Sequence, residues 1–496
     1  MSGYPRPRSV RPCPLSDLAD ALSVPSPSPT VEVTGVTLAS REVRPGDLYA
    51  ALPGARRHGA EFIADAAASG AVAVLTDARG GAVAAEHGLP ALVVDDPRGV
   101  LGGVAARVYG DPTARLRVLG ITGTNGKTST AYLIEAGLRA AGRTTGIIGT
   151  VATVIGGETL TSVRTTPEAP DLQALFAYAL EQGVTDVVME VSSHALAQGR
   201  ADGTTFAVGG FTMFGVDHLD FHADMEDYFA AKAKLFDGRC RSEVVNFDDQ
   251  SARRLIKAAT VTYSVPDGTG ESTTNWTATE VTGEGFDQRF TVNGPGGFRH
   301  AGSVRLPGRH NVSNALLAVA MLAEAGVDPA TAVDGVATCR GIPGRMERVG
   351  DGPILGVVDY AHKPDAIHAV LCALRAITPG KVIAVIGAGG DRDQGKRVLM
   401  GKAAAHGADL VIVTDDNPRT EDPAAIRRGV IEGVGDDGHL EIADRAEAIA
   451  AAVARAVDGD TVAVLGKGHE QGQELADAVI PFDDRVVLAE ALGGAR

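Results

Sequence analysis

Four short apolar runs alternate with helix-period segments in the last third of the chain: Ile354 to Val358, Val382 to Ile386, Leu410 to Val413 and Val462 to Leu465. Short buried runs separated by helices predict βαβ crossovers and a mainly parallel, doubly wound α/β sheet whose ligands sit beyond the strand C-termini. Polar clusters stand at those ends: Asp359-Tyr360-Ala361-His362, Gly389-Gly390-Asp391-Arg392-Asp393, Asp415-Asp416-Asn417-Pro418-Arg419 and Gly466-Lys467-Gly468-His469-Glu470. Further upstream, Arg117 to Ile121 predicts a strand, followed by a glycine-rich loop and a helix running through Tyr132-Leu133-Ile134 to Ala141. Val187-Val188-Met189 predicts another strand, ending at Glu190. From Val31 the segment VEVTGVTLASREV is β-like, the Pro45-Gly46-Asp47 turn follows, and Glu61 to Ser69 and Ala71 to Thr76 predict a helix and a strand. Turn signals at Gly110-Asp111-Pro112 and at GIPG, 341–344, divide the chain into segments 31–111, 112–341 and 342–496. Residues 1–30 hold seven of the 25 prolines and are expected to be a mostly disordered lead-in.

Composition narrows the class. With 496 residues, about three domains are expected at ~150 residues each. Lys and Arg number 46 against 62 Asp and Glu, a formal charge of −16 without a long basic block, which argues against nucleic acid as the main partner. Charged residues at 22% and hydrophobic residues at 44% exclude wholesale disorder. The four cysteines, Cys13, Cys240, Cys339 and Cys372, form no CxxC pair and suit neither a zinc site nor a disulfide framework, so a reducing, cytoplasmic setting is expected. Apolar runs stay under about ten residues against the roughly 20 that a membrane span needs, and the first 30 residues lack the apolar core of a secretory signal.

The strongest chemical signal is ITGTNGKTST, residues 121–130, between a predicted strand and helix. Its glycines allow backbone amides to close around phosphate oxygens, Lys127 supplies a point charge, and the Thr128 hydroxyl suits Mg2+. Ile121 stands where a strict Walker A loop has glycine. Glu190, at the end of an apolar strand, offers a carboxylate to a hard cation. In DHLDFHADMEDYFAAKAKLF, His218 and Lys232 lie fourteen residues apart. Taken singly, His218 reads as a core or capping histidine and Lys232 as a solvated helix lysine. DNPR alone reads as an Asx-Pro turn with an exposed arginine.

Together these segments resemble the Mur ligase family of ATP-dependent amide ligases over roughly residues 31 to 490. The landmarks are TGTNGKT, Thr165-Thr166-Pro167, EVSSHAL, DHLDFH, AAK, LPGRHNVSN, PGRMERV, DYAH, GGDRDQGKR, DNPR and GKGHE, in that order. The resemblance implies three domains: an N-terminal one for the UDP end of the substrate, a central P-loop ATPase and a C-terminal Rossmann-like domain for the incoming amino acid. It further implies ATP and Mg2+ as cofactors, and UDP-MurNAc-L-Ala-D-Glu and diaminopimelate as the substrates joined in peptidoglycan precursor synthesis. A monomer is expected.

Residue by residue, the resemblance implies that Gly123, Thr124, Asn125, Gly126, Lys127 and Thr128 hold the ATP phosphates, Asn311 addresses the adenine and Arg345 the phosphates. Thr128, Glu190, His218 and Lys232 are the implied metal and phosphate site, with Lys127 and a carbamylated Lys232 (N6-carboxylysine) central to catalysis. Leu38 and Ser40 match the uracil segment, and Thr165, Thr166, Ser193 and Arg200 match the positions that hold the diphosphate-sugar and peptide. Arg392, Asp416, Asn417, Pro418, Arg419, Gly466 and Glu470 match those that hold diaminopimelate, Arg419 at its distal carboxylate and Glu470 at its distal ammonium. Four positions depart from the family pattern: Ala39 for aspartate, Met213 for asparagine, Val216 for arginine and Lys363 for threonine. These leave open a paralogous amide ligase of specialised metabolism acting on another carboxylate.

Overall fold

A computed structural model describes residues 4–54, 56–160, 164–266, 273–435 and 438–494. The chain divides into two compact units, one comprising residues 1–278, 292–300 and 313–338, the other 279–291, 301–312 and 339–496.

The first unit opens with a parallel four-stranded sheet in the order Gly35–Thr37, Asp47–Ala51, Ala73–Thr76, Ala91–Val93. Residues 13–22 correct the expectation of a disordered lead-in: Cys13–Pro14 pairs with Glu32–Val33, and Leu15–Leu22 is a helix. Leu15, Leu18 and Ala19 recur on one helical face and are fully buried beside Val36, Leu48 and Leu101, so hydrophobic burial outweighs the flanking prolines. Arg6 adds an ion pair to the buried Asp47, a single guanidinium nitrogen, Nη1, reaching both carboxylate oxygens at 2.8 and 2.7 Å.

A second sheet of this unit has a parallel core in the order Thr145–Ile148, Asp186–Glu190, Arg117–Thr122, Phe206–Phe211, Cys240–Asn246, Val261–Ser264. Arg117–Thr122 lies between two strands that follow it in the chain and leave in opposite directions, the topological switch point at which such sheets bind ligands. Its residues Val118 to Thr122 are buried on both faces, which is why the strand reads as one apolar run.

In the second unit, Leu355–Asp359, Thr461–Leu465, Val382–Ile386, Leu410–Val413 and His439–Glu441 form a parallel sheet in that order, with Glu347–Val349 antiparallel at one edge. Helices cover its faces, and Val358, Ile383, Val385, Ile412, Ile449, Val464 and Leu488 make the core. A fully buried, bidentate Arg445–Asp484 pair, 2.7 Å at both contacts, ties the helix Arg445–Val453 to the last helix, Asp484–Gly494. Among the described residues no helix is long and apolar enough to cross a membrane.

In the first unit Asp171 sits in the first turn of Ala169–Glu181, where burial, reinforced by Glu42, pushes its carboxyl up to about 6. A raised acid favours the folded state when protonated, so its contribution is complete below about pH 4 and is lost as pH rises through about 6. Asp171→Asn is therefore expected to raise the Tm by a few degrees at about pH 8 and not at about pH 4, as followed by thermal melts at both values.

Candidate functional site

The glycine-rich loop emerges from Arg117–Thr122 and leads into the helix Lys127–Ala140. Gly126 caps that helix at φ +87°, the left-handed region that favours glycine, and a Cβ there would meet Asn314 Oδ1 at 2.4 Å. Lys127 Nζ folds back to donate to the Gly123 and Thr124 carbonyls at 2.9 and 3.0 Å. Thr128 Oγ1 donates to Glu190 at 3.0 and 3.1 Å, and the Thr150 amide and hydroxyl donate to the same carboxylate at 2.8 and 3.1 Å. Lys232, on the helix Met225–Ala233, is 1% exposed and donates from Nζ to Gly123 O at 2.7 Å, so both lysines converge on one carbonyl.

Tyr228 organises the far side of this loop. Its hydroxyl lies 3.1 Å from Thr124 Oγ1, and its ring faces Lys232 Nζ at 4.6 Å. His218, at φ +53°, packs its ring 5.9 Å from that of Tyr228 and 4.7 Å from that of His194. Next to Glu190, Thr166 Oγ1 donates to the Glu190 carbonyl at 2.9 Å and accepts from Ser192 N, while Thr165 shares a 3.0 Å hydroxyl contact with Thr150. Ser193 is buried with its Oγ unpartnered among the described residues. Arg200 Nε lies 3.0 Å from Glu168, and Arg98 approaches the same carboxylate at 3.4 Å. Leu38 packs against the first sheet's core, and Ser40 opens the single turn Ser40–Glu42.

In the second unit the polar groups cluster at the C-terminal ends of the parallel strands. Asn417 Nδ2 donates to Glu470 Oε2 at 2.8 Å. Arg419, in the left-handed region at φ +51°, donates from Nε to Glu474 at 2.6 Å and from a terminal nitrogen to Gly390 O at 2.8 Å. Gly466 lets Asp416 approach, since a Cβ there would stand 2.5 Å from Asp416 Oδ2. Burial pushes the Asp416 carboxyl up, opposed by Arg445 and Lys467. Gly390 N donates to Asn417 O, which fixes the Asn417–Pro418 backbone, and Arg392 is exposed on the neighbouring loop. Arg345 faces the Tyr360 ring at 4.7 Å, and Asn311 is buried with its amide on Pro307 O.

Three family descriptions match in chain order: "Mur ligase family, catalytic domain" over residues 32–109, "Mur ligase middle domain" over 121–322 and "Mur ligase, glutamate ligase domain" over 344–468. The chain belongs to the Mur ligase family. It is 55% identical to the UDP-N-acetylmuramoyl-L-alanyl-D-glutamate--2,6-diaminopimelate ligase of Streptomyces coelicolor, across 99% of this chain and 98% of that one. The protein of the same name from Corynebacterium efficiens is 47% identical across 94% and 91%. A solved structure of a ligase with that name superposes with a TM-score of 0.70 at 34% identity, covering 98% and 99% of the two chains.

Within this Mur ligase, the sequence-derived site residues fall into groups that the fold builds separately. Thr128 and Glu190 are in direct contact, Lys127 and Lys232 share Gly123 O, and His218 joins them through the Tyr228 ring. Hydroxyl and carboxylate oxygens at the end of a phosphate loop fit Mg2+. No group of three or more His, Cys, Asp or Glu that could hold a metal exists among the described residues. Met213 acts through its backbone carbonyl, which accepts from Thr124 N at 2.8 Å, Val216 is 65% exposed, and Lys363 precedes the helix Pro364–Arg375. Sequence reasoning missed Tyr228, Lys467 and Glu474. The first two lie inside quoted motifs, but nothing in the sequence marks them as buried.

Proposed function

We propose that this Mur ligase joins diaminopimelate to UDP-MurNAc-L-Ala-D-Glu at the expense of ATP, in the cytoplasmic assembly of peptidoglycan precursors, and that it does so as a monomer with segments 31–111, 112–341 and 342–496 as its working domains. The substrate carboxylate attacks the γ-phosphorus and ADP departs, leaving an acyl phosphate. The amino group then attacks the acyl carbon, loses a proton and expels phosphate. Such chemistry depends on positioning and charge neutralisation. Lys127 and the loop amides from Gly123 to Thr128 offset phosphate charge. Thr128 and Glu190, with His218 and a carbamylated Lys232, would hold Mg2+, which neutralises phosphate oxygens when bound. Asn311 and Arg345 address the nucleotide. Leu38, Ser40, Thr165, Thr166, Ser193 and Arg200 receive the UDP-sugar dipeptide.

The observation that carries the amino-acid assignment is that one cation and one anion, Arg419 and Glu470, stand beyond the strand ends of one sheet, Glu470 held by Asn417 and Arg419 on Gly390 O. In this reading Arg419 would receive the distal carboxylate and Glu470 the distal ammonium, with Arg392, Asp416, Pro418 and Gly466 around them. Glu474 refines the expected selectivity. A bare, buried Arg419 left unpaired by lysine would cost about 3–5 kcal/mol. Arg419 instead keeps Glu474 at 2.6 Å, so the loss is that of charge-assisted hydrogen bonds, about 1.5–3 kcal/mol, or roughly 10–100-fold. ADP release measured with the UDP-dipeptide and meso- or LL-diaminopimelate, lysine or ornithine is expected to favour diaminopimelate over lysine by that factor. Arg419→Ala is expected to raise the diaminopimelate KM and shrink the preference while sparing the KM for ATP. Equal use of lysine by the unaltered protein would refute the assignment.

A further inference from the structure

We infer that Lys467 is a positioning residue of the amino-acid site, holding Asn417 and Glu470 in the arrangement that receives the incoming amino acid. This rests on the assigned site in the second unit and adds to it a residue that touches no substrate. The Lys467 side chain is 0% exposed, although lysine is among the residues least often buried. Its Nζ donates to Asn417 Oδ1 at 2.8 Å and to Glu470 Oε2 at 3.0 Å. Asn417 Nδ2 donates to the same Glu470 oxygen at 2.8 Å, closing a three-membered ring of side chains. Asn417 Oδ1 also accepts from Glu474 N at 2.9 Å, and Glu474 in turn holds Arg419.

Three consequences follow from this ring. The Asn417 amide is locked in one orientation, because its oxygen takes two donors and its nitrogen faces a carboxylate. Glu470 Oε2 is committed to Lys467 and Asn417, whereas Oε1 accepts no hydrogen bond among the described residues and is the oxygen left for a ligand ammonium. Lys467 is the buried cation in direct contact with Glu470, whereas Arg445, paired through Nε and Nη2 with Asp484, acts on Glu470 only at longer range. Without Lys467, Glu470 is left to collapse onto Asn417 or turn toward solvent, and the receiving geometry is lost.

The test compares unaltered protein with Lys467→Met in full-chain assays of ADP release, after the amino-acid panel has shown which amino acid the unaltered protein uses. The panel reports on the assigned substrate and the variant on Lys467, so either can fail alone. The expected result is a KM for the preferred amino acid raised roughly 10–100-fold, the scale of a lost charge-assisted hydrogen bond, with the KM values for ATP and UDP-dipeptide within about twofold. Because Lys467 acts through Glu470, Lys467→Met/Glu470→Gln is expected to be no worse than Glu470→Gln alone. An unchanged amino-acid KM, equal changes in all three KM values, or simple additivity would overturn the inference. Should Lys467→Met not fold, Lys467→Gln, which retains a donor, takes its place with the same expected ordering of KM values. Failure of both variants to fold would make the lysine a stability element and overturn the inference as well.

Discussion

Lys127→Ala is expected to slow ADP release by at least ~100-fold at saturating substrates, the scale on which one lost electrostatic stabiliser registers in kcat. The reason lies in where the ammonium sits. It donates to the neutral carbonyls of Gly123 and Thr124, which hold the positive charge at the loop that closes on phosphate. As charge shifts onto the bridging oxygen of the departing ADP, a cation already in place needs no reorganisation. The helix Lys127–Ala140 is anchored by the burial of Leu133, Ile134 and Leu138, so removing the side chain leaves the fold in place, and a Tm within a few degrees of the unaltered protein checks this. Release within about threefold of normal would exclude the loop from the reaction.

What the sequence disclosed, and what it hid, follows from the range of the interactions. Parallel strands buried on both faces must be apolar along their whole length, which is why Val382–Ile386 and Leu410–Val413 have the bounds that their hydrophobic runs suggest. The phosphate loop was legible because its glycines answer a local backbone requirement. The helix Leu15–Leu22 was not, since seven nearby prolines dominated a segment whose apolar stripe is only eight residues long. Partnerships made by topology were hidden altogether. Glu474 meets Arg419 across 55 residues, and Lys467 meets Asn417 across 50, contacts that exist only once the strands Leu410–Val413 and Thr461–Leu465 have taken their places in one sheet. The difference matters for function: with Glu474 unseen, Arg419 looks like a bare cation waiting for a substrate carboxylate, and the selectivity expected from it is too large.

Lys232→Ala is expected to abolish ligation, because the geometry around Lys232 suits carbamylation. Lys127 and Lys232 both donate to Gly123 O, at 2.9 and 2.7 Å, and two ammonium groups brought that close repel each other. The Lys232 ammonium gives up one proton, and addition of the resulting amine to CO2 forms an N–C bond and releases a second, which turns the inner cation into an anion, so that repulsion becomes attraction. Tyr228, whose hydroxyl lies against Thr124 Oγ1, presents its ring to the Lys232 ammonium beside the loop. The product is a carboxylate-like oxygen pair at the inner end of the phosphate site, on the same loop that places Thr128 against Glu190. Alanine removes both the charge and the oxygens while leaving a cavity of a few heavy atoms. Acetate or formate is therefore expected to restore part of the activity. Protein equilibrated with 13C-labelled CO2 is expected to show a carbamate carbon resonance that the alanine variant lacks, with melting curves confirming that both chains are folded. A fully active alanine variant, or an active unaltered protein without the labelled resonance, would leave Lys232 an ordinary buried lysine.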